Sequence, residues 1–353
     1  MNGSQRLAAA ALFVVGLGCS GGLAPAPAVT PPAIASSPGT AAPAQPAAPP
    51  AIAGCQILPT DNVWNARVDS LPLDTRSLTY TTSIGLGAHM HADFGSGIWP
   101  PDTGGPIGIP FVVVPYGQAQ VAMSFLWADQ SEPGPYPIPA NPPIEFGSDH
   151  HVLVLEQGSC LLYELFAAHA NGDGSWHAGS GAVYNLSSDG LRAATWTSAD
   201  AAGLPILPGL VRYDEVASGA ITHAIRFTAQ QTQDTFVWPA RHQAGDPGAE
   251  LPPMGERFRL NKDYPIGSFS HDAQVILQAL KTYGMILADN GSPWYISGVP
   301  DERWDNDVLH ELGSVPGSAF EAVDETSLMG NSNSGRAGPP IAYNHFVFLP
   351  TTY

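Results

Sequence analysis

The sequence predicts a mainly β fold, a single β-sandwich or jelly-roll-like domain decorated by two or three short helices. Three observations carry that expectation. Gly and Pro number 38 and 35 among 353 residues, while only 12% of residues are charged, a balance that suits short strands joined by many turns. Apolar runs rich in Val, Ile, Leu and aromatic residues recur at roughly ten-residue spacing between Gly/Pro breaks. Strand-like and helix-like patterns do not alternate as they do in a parallel α/β sheet.

Taken in order, Cys55 opens CQILPTDNVWNARVDSLPLD, a segment punctuated by Pro and Asp, and Asp74 is placed to cap a helix over 75–84. A Gly- and Pro-rich loop holding His89, His91, Asp93 and Asp102 follows. IPFVVVPYG and QVAMSFLWAD read as a hairpin around Gly117, and EPGPYPIPANPPIEFGSD has too much proline for a regular ladder. HHVLVLEQ and SCLLYELFAAH form a second hairpin through Gly158, and Asn171-Gly172-Asp173-Gly174 turns the chain into SWHAGSGAVYNL. Within Thr195 to His242, TSADAAG predicts a single helical turn, LPILPG an apolar turn and RYDEVAS a short helix stopped by Gly219. ITHAIRFT and TFVWPA then read as strands, with RFRL a further one. SHDAQVILQALKTYG predicts a helix capped by Ser270, with Ala273, Ile276, Leu277, Leu280 and Tyr283 on one face. MILAD and PWYISG pair across Asn290-Gly291, DERWDNDVLHELG is helical, 330–344 is a loop and 345–350 a closing strand.

The ends and the composition speak to address. Arg6 precedes an apolar run from Leu7 to Val15 that is too short to span a bilayer and has the proportions of an export leader, residues 1–19. Its ending, Gly16-Leu17-Gly18-Cys19, resembles the lipobox of bacterial lipoproteins, which implies cleavage before Cys19 and lipidation of its thiol. Residues 20–54 are almost wholly Ala, Pro, Gly, Ser and Thr and form a semi-extended, disordered tether. Residues 55–353 form one domain. Cys55 and Cys160 are the remaining cysteines, and an oxidising compartment pairs them. The chain is thus expected to be an exported outer-membrane or cell-surface lipoprotein, otherwise periplasmic or extracellular, that meets the membrane only through its anchor. A count of 13 Lys+Arg against 31 Asp+Glu, formal charge -18, repels phosphate backbones, so nucleic acid is excluded as a partner. The domain is expected to be a monomer.

Several residues have the types that glycan chemistry needs. Glu164 shares a strand face with Leu162 and Phe166, and a carboxyl among apolar neighbours has its pKa raised, as a general acid requires. Asp214 and Glu215 point different ways on a short helix, so one of them would complete a carboxylate pair with Glu164; as plain structure they are helix-start acids that complement the dipole. In a lyase, His223 or His242 would be the base, Tyr163 or Tyr213 the acid and an Arg the carboxylate clamp. Arg212, Tyr213, Arg241, His242 and Trp176 are the candidate sugar-positioning groups, each also a familiar core or lattice residue. His89-x-His91-x-Asp93 and His150-His151 have metal-ligand types, but with neither HExxH nor paired CxxC no metal ligand is assigned. The acids at Asp173 and from Asp301 to Asp307 do not match calcium-loop spacing, so a structural calcium is unsupported and no cofactor is expected. There is no Gly-x-Ser-x-Gly elbow and no phosphate-binding Gly-rich loop.

PTDNVWN, GPYPIP, TSADAAGLPILPGLVRYDEV, HAIRFT, WPARH and LADNGSPWYISG together resemble a group of secreted bacterial hypothetical proteins, over most of 55–329. The resemblance implies a single secreted domain and lends no catalytic residue. The functional expectation therefore rests on compartment and residue types: a tethered glycoside hydrolase or polysaccharide lyase acting on an extracellular glycan. The alternatives are a non-catalytic carbohydrate- or protein-binding surface lipoprotein and, less favoured, a secreted peptidase.

Overall fold

The computed structural model describes residues 49–338. The leader, Cys19, most of the tether and the closing strand expected at 345–350 lie outside the described residues. The Ala51–Ile52 strand pairs antiparallel with Cys55–Gln56, so the folded domain takes in the last residues assigned to the tether. No helix among the described residues is long and apolar enough to cross a membrane.

The fold is mainly β and sandwich-like, with two principal sheets. A four-stranded sheet runs in the order Ser180–Asn185, Leu161–Phe166, Val152–Glu156 and Phe111–Val114. A six-stranded sheet runs Phe320–Ala322, Arg257–Leu260, Met285–Asn290, Ile225–Ala229, Tyr295–Ser297 and His91–Asp93. Leu153, Leu155 and Leu162 of the smaller sheet share one core with Ile225, Phe227, Met285 and Leu287 of the larger. The alternate residues Val152, Val154 and Leu165 face a second core with Tyr136, Trp176 and Ala178. Both faces of the smaller sheet are covered, which explains why its strands read as continuous apolar runs.

The second hairpin and the Asn171–Gly174 turn form as expected. So does the short helix Tyr213–Ser218, ended by Gly219 at φ +89, where an L side chain would be strained. The helix His271–Thr282 presents its apolar face to the main core, and Ser77–Ile84 and Asn306–Glu311 complete the α-helices among the described residues. Cys55 and Cys160 are bonded, with Cα atoms 5.4 Å apart, fastening the N-terminal ribbon to the end of the second hairpin.

Four local expectations give way to tertiary pairing. Phe111–Val114 lies parallel to Val152–Glu156, and Met123–Phe125 pairs with Trp176–Ala178 in an outer sheet, so the first hairpin does not form. Met285–Asn290 and Tyr295–Ser297 flank Ile225–Ala229 rather than each other, because the Asn290–Trp294 turn bonds across that strand's end, Gly291 N–H to Ala229 O and Trp294 N–H to Thr228 O. Ile225–Ala229 and Met285–Asn290 are parallel, but the chain between them contributes the antiparallel Arg257–Leu260 strand before the His271–Thr282 helix, so no parallel strand–helix–strand unit forms. TSADAAG is an irregular turn, and TFVWPA contributes only the Phe236–Met254 bridge before the Trp238–Pro239 cis bond; proline cannot donate to a ladder.

Candidate active site

Charges isolated in apolar runs must find partners when the run is buried. Arg226 is the one charge in the Ile225–Ala229 strand and is 3% exposed. Its guanidinium grips fully buried Asp200 with two bonds, Nε to Oδ2 at 3.1 Å and Nη2 to Oδ1 at 2.7 Å, and donates from Nη1 to Ser297 Oγ. Asp289, at the end of the apolar MILADN strand, brings Oδ2 to 3.7 Å from Arg226 Nη2. The loop bearing Asp200 is held rigidly. Ser198 Oγ donates to the carbonyls of Asp200 and Leu204 and accepts the Asp200 N–H, while Ala202 N–H donates to Ala288 O.

Asp289 is the unusual member of this group. Burial, then the negative charge of Asp200, hold its carboxyl well above the ordinary range, and Arg226 opposes them only in part. Asp289 and Asp200 share Arg226 as a neighbour, with Nη2 2.7 Å from Asp200 Oδ1 and 3.7 Å from Asp289 Oδ2. Raised in this way, and farther from Arg226 than Asp200 is, the Asp289 carboxyl favours its protonated form.

Asp289 opens onto a cavity of about 340 Å³. Trp127 and Phe166 form one wall, their rings 6.2 Å apart and inclined by 22°, and Trp127 is 41% exposed. Thr197, Ser198 and His242 also line it. His242 Nδ1–H donates to Ala201 O at 2.9 Å, so in the neutral ring Nε2 carries the lone pair. No Lys or Arg lines the cavity.

The residues singled out in the sequence fall in separate places. Glu164 is fully buried and accepts from the backbone N–H groups of Ile206 and Leu207 at 2.9–3.0 Å. Burial pushes its carboxyl up to about 7 against those bonds. The raised pKa expected of it is present, but Glu164 pins the LPILPG turn to the Leu161–Phe166 strand and does not line the cavity. Glu215 binds Arg212 Nη2 at 3.0 Å and His223 Nε2 at 3.2 Å, a separate buried cluster. Burial acts to raise the Glu215 carboxyl, and its contacts with His223 and Arg212 outweigh that and hold it below the ordinary range. Asp214, at 3.4 Å from Arg212 Nε, is largely exposed, and Tyr213 packs edge-on against Trp304. Arg241 is consumed by the carbonyls of Arg192 and Ser332 and by Asn333 Oδ1, and Trp176 is buried in the second core. Only His242 of the predicted set lines the cavity. The two chain segments expected to meet, 160–169 and 195–242, do meet there, but through Phe166, Asp200 and His242. Asp200, Asp289 and Trp127 were not singled out; lone acids in TSADAAGLPILPG and MILADN were the available signal. No protein-family model, curated protein or solved structure matches the chain.

Proposed function

We propose that this protein is an exported, surface-tethered glycoside hydrolase acting on a neutral extracellular polysaccharide. The observation that carries the reading is the Asp289 carboxyl, held well above the ordinary range by burial and facing an aromatic-walled cavity that also holds His242. Asp289 would donate its proton to the glycosidic oxygen as the C–O bond breaks, and the resulting carboxylate would be stabilised by Arg226. His242 Nε2 would take a proton from the attacking water, whose oxygen forms the new bond to the sugar carbon. Trp127 offers a ring face for sugar stacking.

The other chemistries fit less well. A lyase must neutralise a uronate carboxylate, and the cavity lining carries two acids and no cation. A peptidase dyad needs a water between two accessible carboxyls, whereas both Asp200 oxygens are taken by Arg226. A non-catalytic glycan-binding module has exposed aromatics in its favour, Trp127 at the cavity and Trp99, Tyr116 and Phe146 elsewhere, but gives Asp289 no role.

The test is a screen of the purified protein on a polysaccharide panel, reading reducing ends and unsaturated-uronate absorbance together. Reducing ends alone are expected. Asp289→Asn, which keeps an N–H donor toward Asp200, should lower turnover by about 10²–10⁴-fold without unfolding the domain. Trp127→Ala should mainly raise KM. Retention on an insoluble glycan with no product from any polymer supports the binding module, and Asp289→Asn turning over like wild type removes Asp289 from the mechanism.

A further inference from the structure

We infer that Glu145, Asp149 and His151 form a site for one divalent transition-metal ion of the zinc class. One donor atom from each of the three lies within 4.8 Å of the other two. Tetrahedral zinc, with bonds of about 2.0–2.1 Å, asks its ligands to stand roughly 3.3 Å apart, which small side-chain rotations reach from here. An imidazole with two carboxylates is a donor set for zinc or manganese, whereas calcium takes oxygen alone.

The imidazole supplies the second, independent indication. His151 is 2% exposed, and its Nε2–H donates to Ala199 O at 3.0 Å. That bond fixes the ring while Nδ1–H meets the Glu145 carboxylate, so an ion would take the place of the Nδ1 proton, with Ala199 O holding the ring from behind as carbonyls hold metal-binding histidines. Nδ1 lies against Glu145 Oε2, and Asp149 Oδ1 accepts from Ser148 Oγ at 2.9 Å. The segment is braced by Glu145 N–H to His151 O at 3.0 Å and by Ala167 N–H to Asp149 O at 2.7 Å. The sequence pointed to His150-His151 as metal-type residues; the carboxylates that complete the set come from the Pro-rich segment before them.

This inference is independent of the glycosidase reading. Ala199 belongs to the loop that carries Asp200, so an ion here would brace the cavity without touching substrate.

The experiment uses the full chain without an affinity tag, stripped with chelator and dialysed. Zn²⁺ is titrated calorimetrically, and Co²⁺ is followed by its visible absorption. One equivalent should bind with micromolar or tighter Kd. Asp149→Ala, a change at an exposed position, and Glu145→Gln should each weaken binding about 10–100-fold, with circular dichroism unchanged. Absence of saturable binding by either ion overturns the proposal. So does tight binding retained in both variants, which would put the ion elsewhere, for example at the neighbouring His169 and His177 rings.

Discussion

Raising the pH from about 5 to about 8 should lower the stability of this protein, and Glu164 shows why. Its carboxyl has no exposed surface, and burial lifts it from 4.5 in the unfolded chain to about 7 in the fold. The folded state therefore favours the protonated acid. The contribution is fully present below the unfolded value of 4.5, declines as pH rises, and is lost once the pH passes about 7. The difference corresponds to ~3 kcal/mol. Glu325, beside Arg257, is likewise pushed up to about 7 by burial and acts in the same sense. Glu145 and Glu215, held below the ordinary range, act oppositely and withdraw their stabilisation as the pH falls through their lowered values. The maximum should thus lie in mild acid. Urea denaturation followed by far-UV circular dichroism across this range measures the slope. Glu164→Gln cannot ionise, so it should remove ~3 kcal/mol of the decline between mild acid and slight alkalinity. In acid the same variant should stay within about 1 kcal/mol of wild type, because its amide oxygen can take the Oε1 place that accepts from both Ile206 and Leu207 N–H, as the carbonyl of the protonated acid does. A flat or rising profile in wild type, or an unaltered slope in the variant, would refute the reasoning.

Two further outcomes follow from the same interior. Replacing Cys55 and Cys160 together by Ala opens a bridge of sequence separation 105, which should cost ~4–5 kcal/mol and lower Tm by roughly 10 °C; a melting curve unmoved by the double change would contradict it. Arg226→Met strands the carboxylate of Asp200 in the core and should destabilise by about 3–5 kcal/mol, with Asp200→Asn on top recovering part of the loss; additive losses in the double-mutant cycle would show that the two do not act as a pair.

What was legible in the sequence follows the range of the forces involved. The His271–Thr282 helix and the 152–166 hairpin are specified by nearby residues, through a face of apolar side chains in one and a Gly-centred turn in the other. The partners of Phe111–Val114 and Tyr295–Ser297 are set by which edges remain open once the sheets meet, and no local signal encodes that. The site divides in the same way. The alternation in LLYELF correctly turns Glu164 inward with Leu162, but whether an inward carboxyl meets a cavity or two backbone N–H groups depends on a turn forty residues on. Asp200 and Asp289 lie far apart in sequence and are neighbours where Ala202 N–H donates to Ala288 O and Arg226 reaches both acids. A lone acid in an apolar run signals a buried partner without naming it.

The two sheets also differ in when they can exist. The smaller one draws only on residues 111–185, whereas the larger sets His91–Asp93 beside Tyr295–Ser297 and Phe320–Ala322 beside Arg257–Leu260. As the chain is synthesised, the first sheet can close early, and the second must wait until Phe320 has emerged. The cavity takes Phe166 from the early sheet and Asp289 from the late one. A chain stopped before Asp289 would carry the cavity's aromatic wall and only one of its two acids, so the cavity is completed late in synthesis.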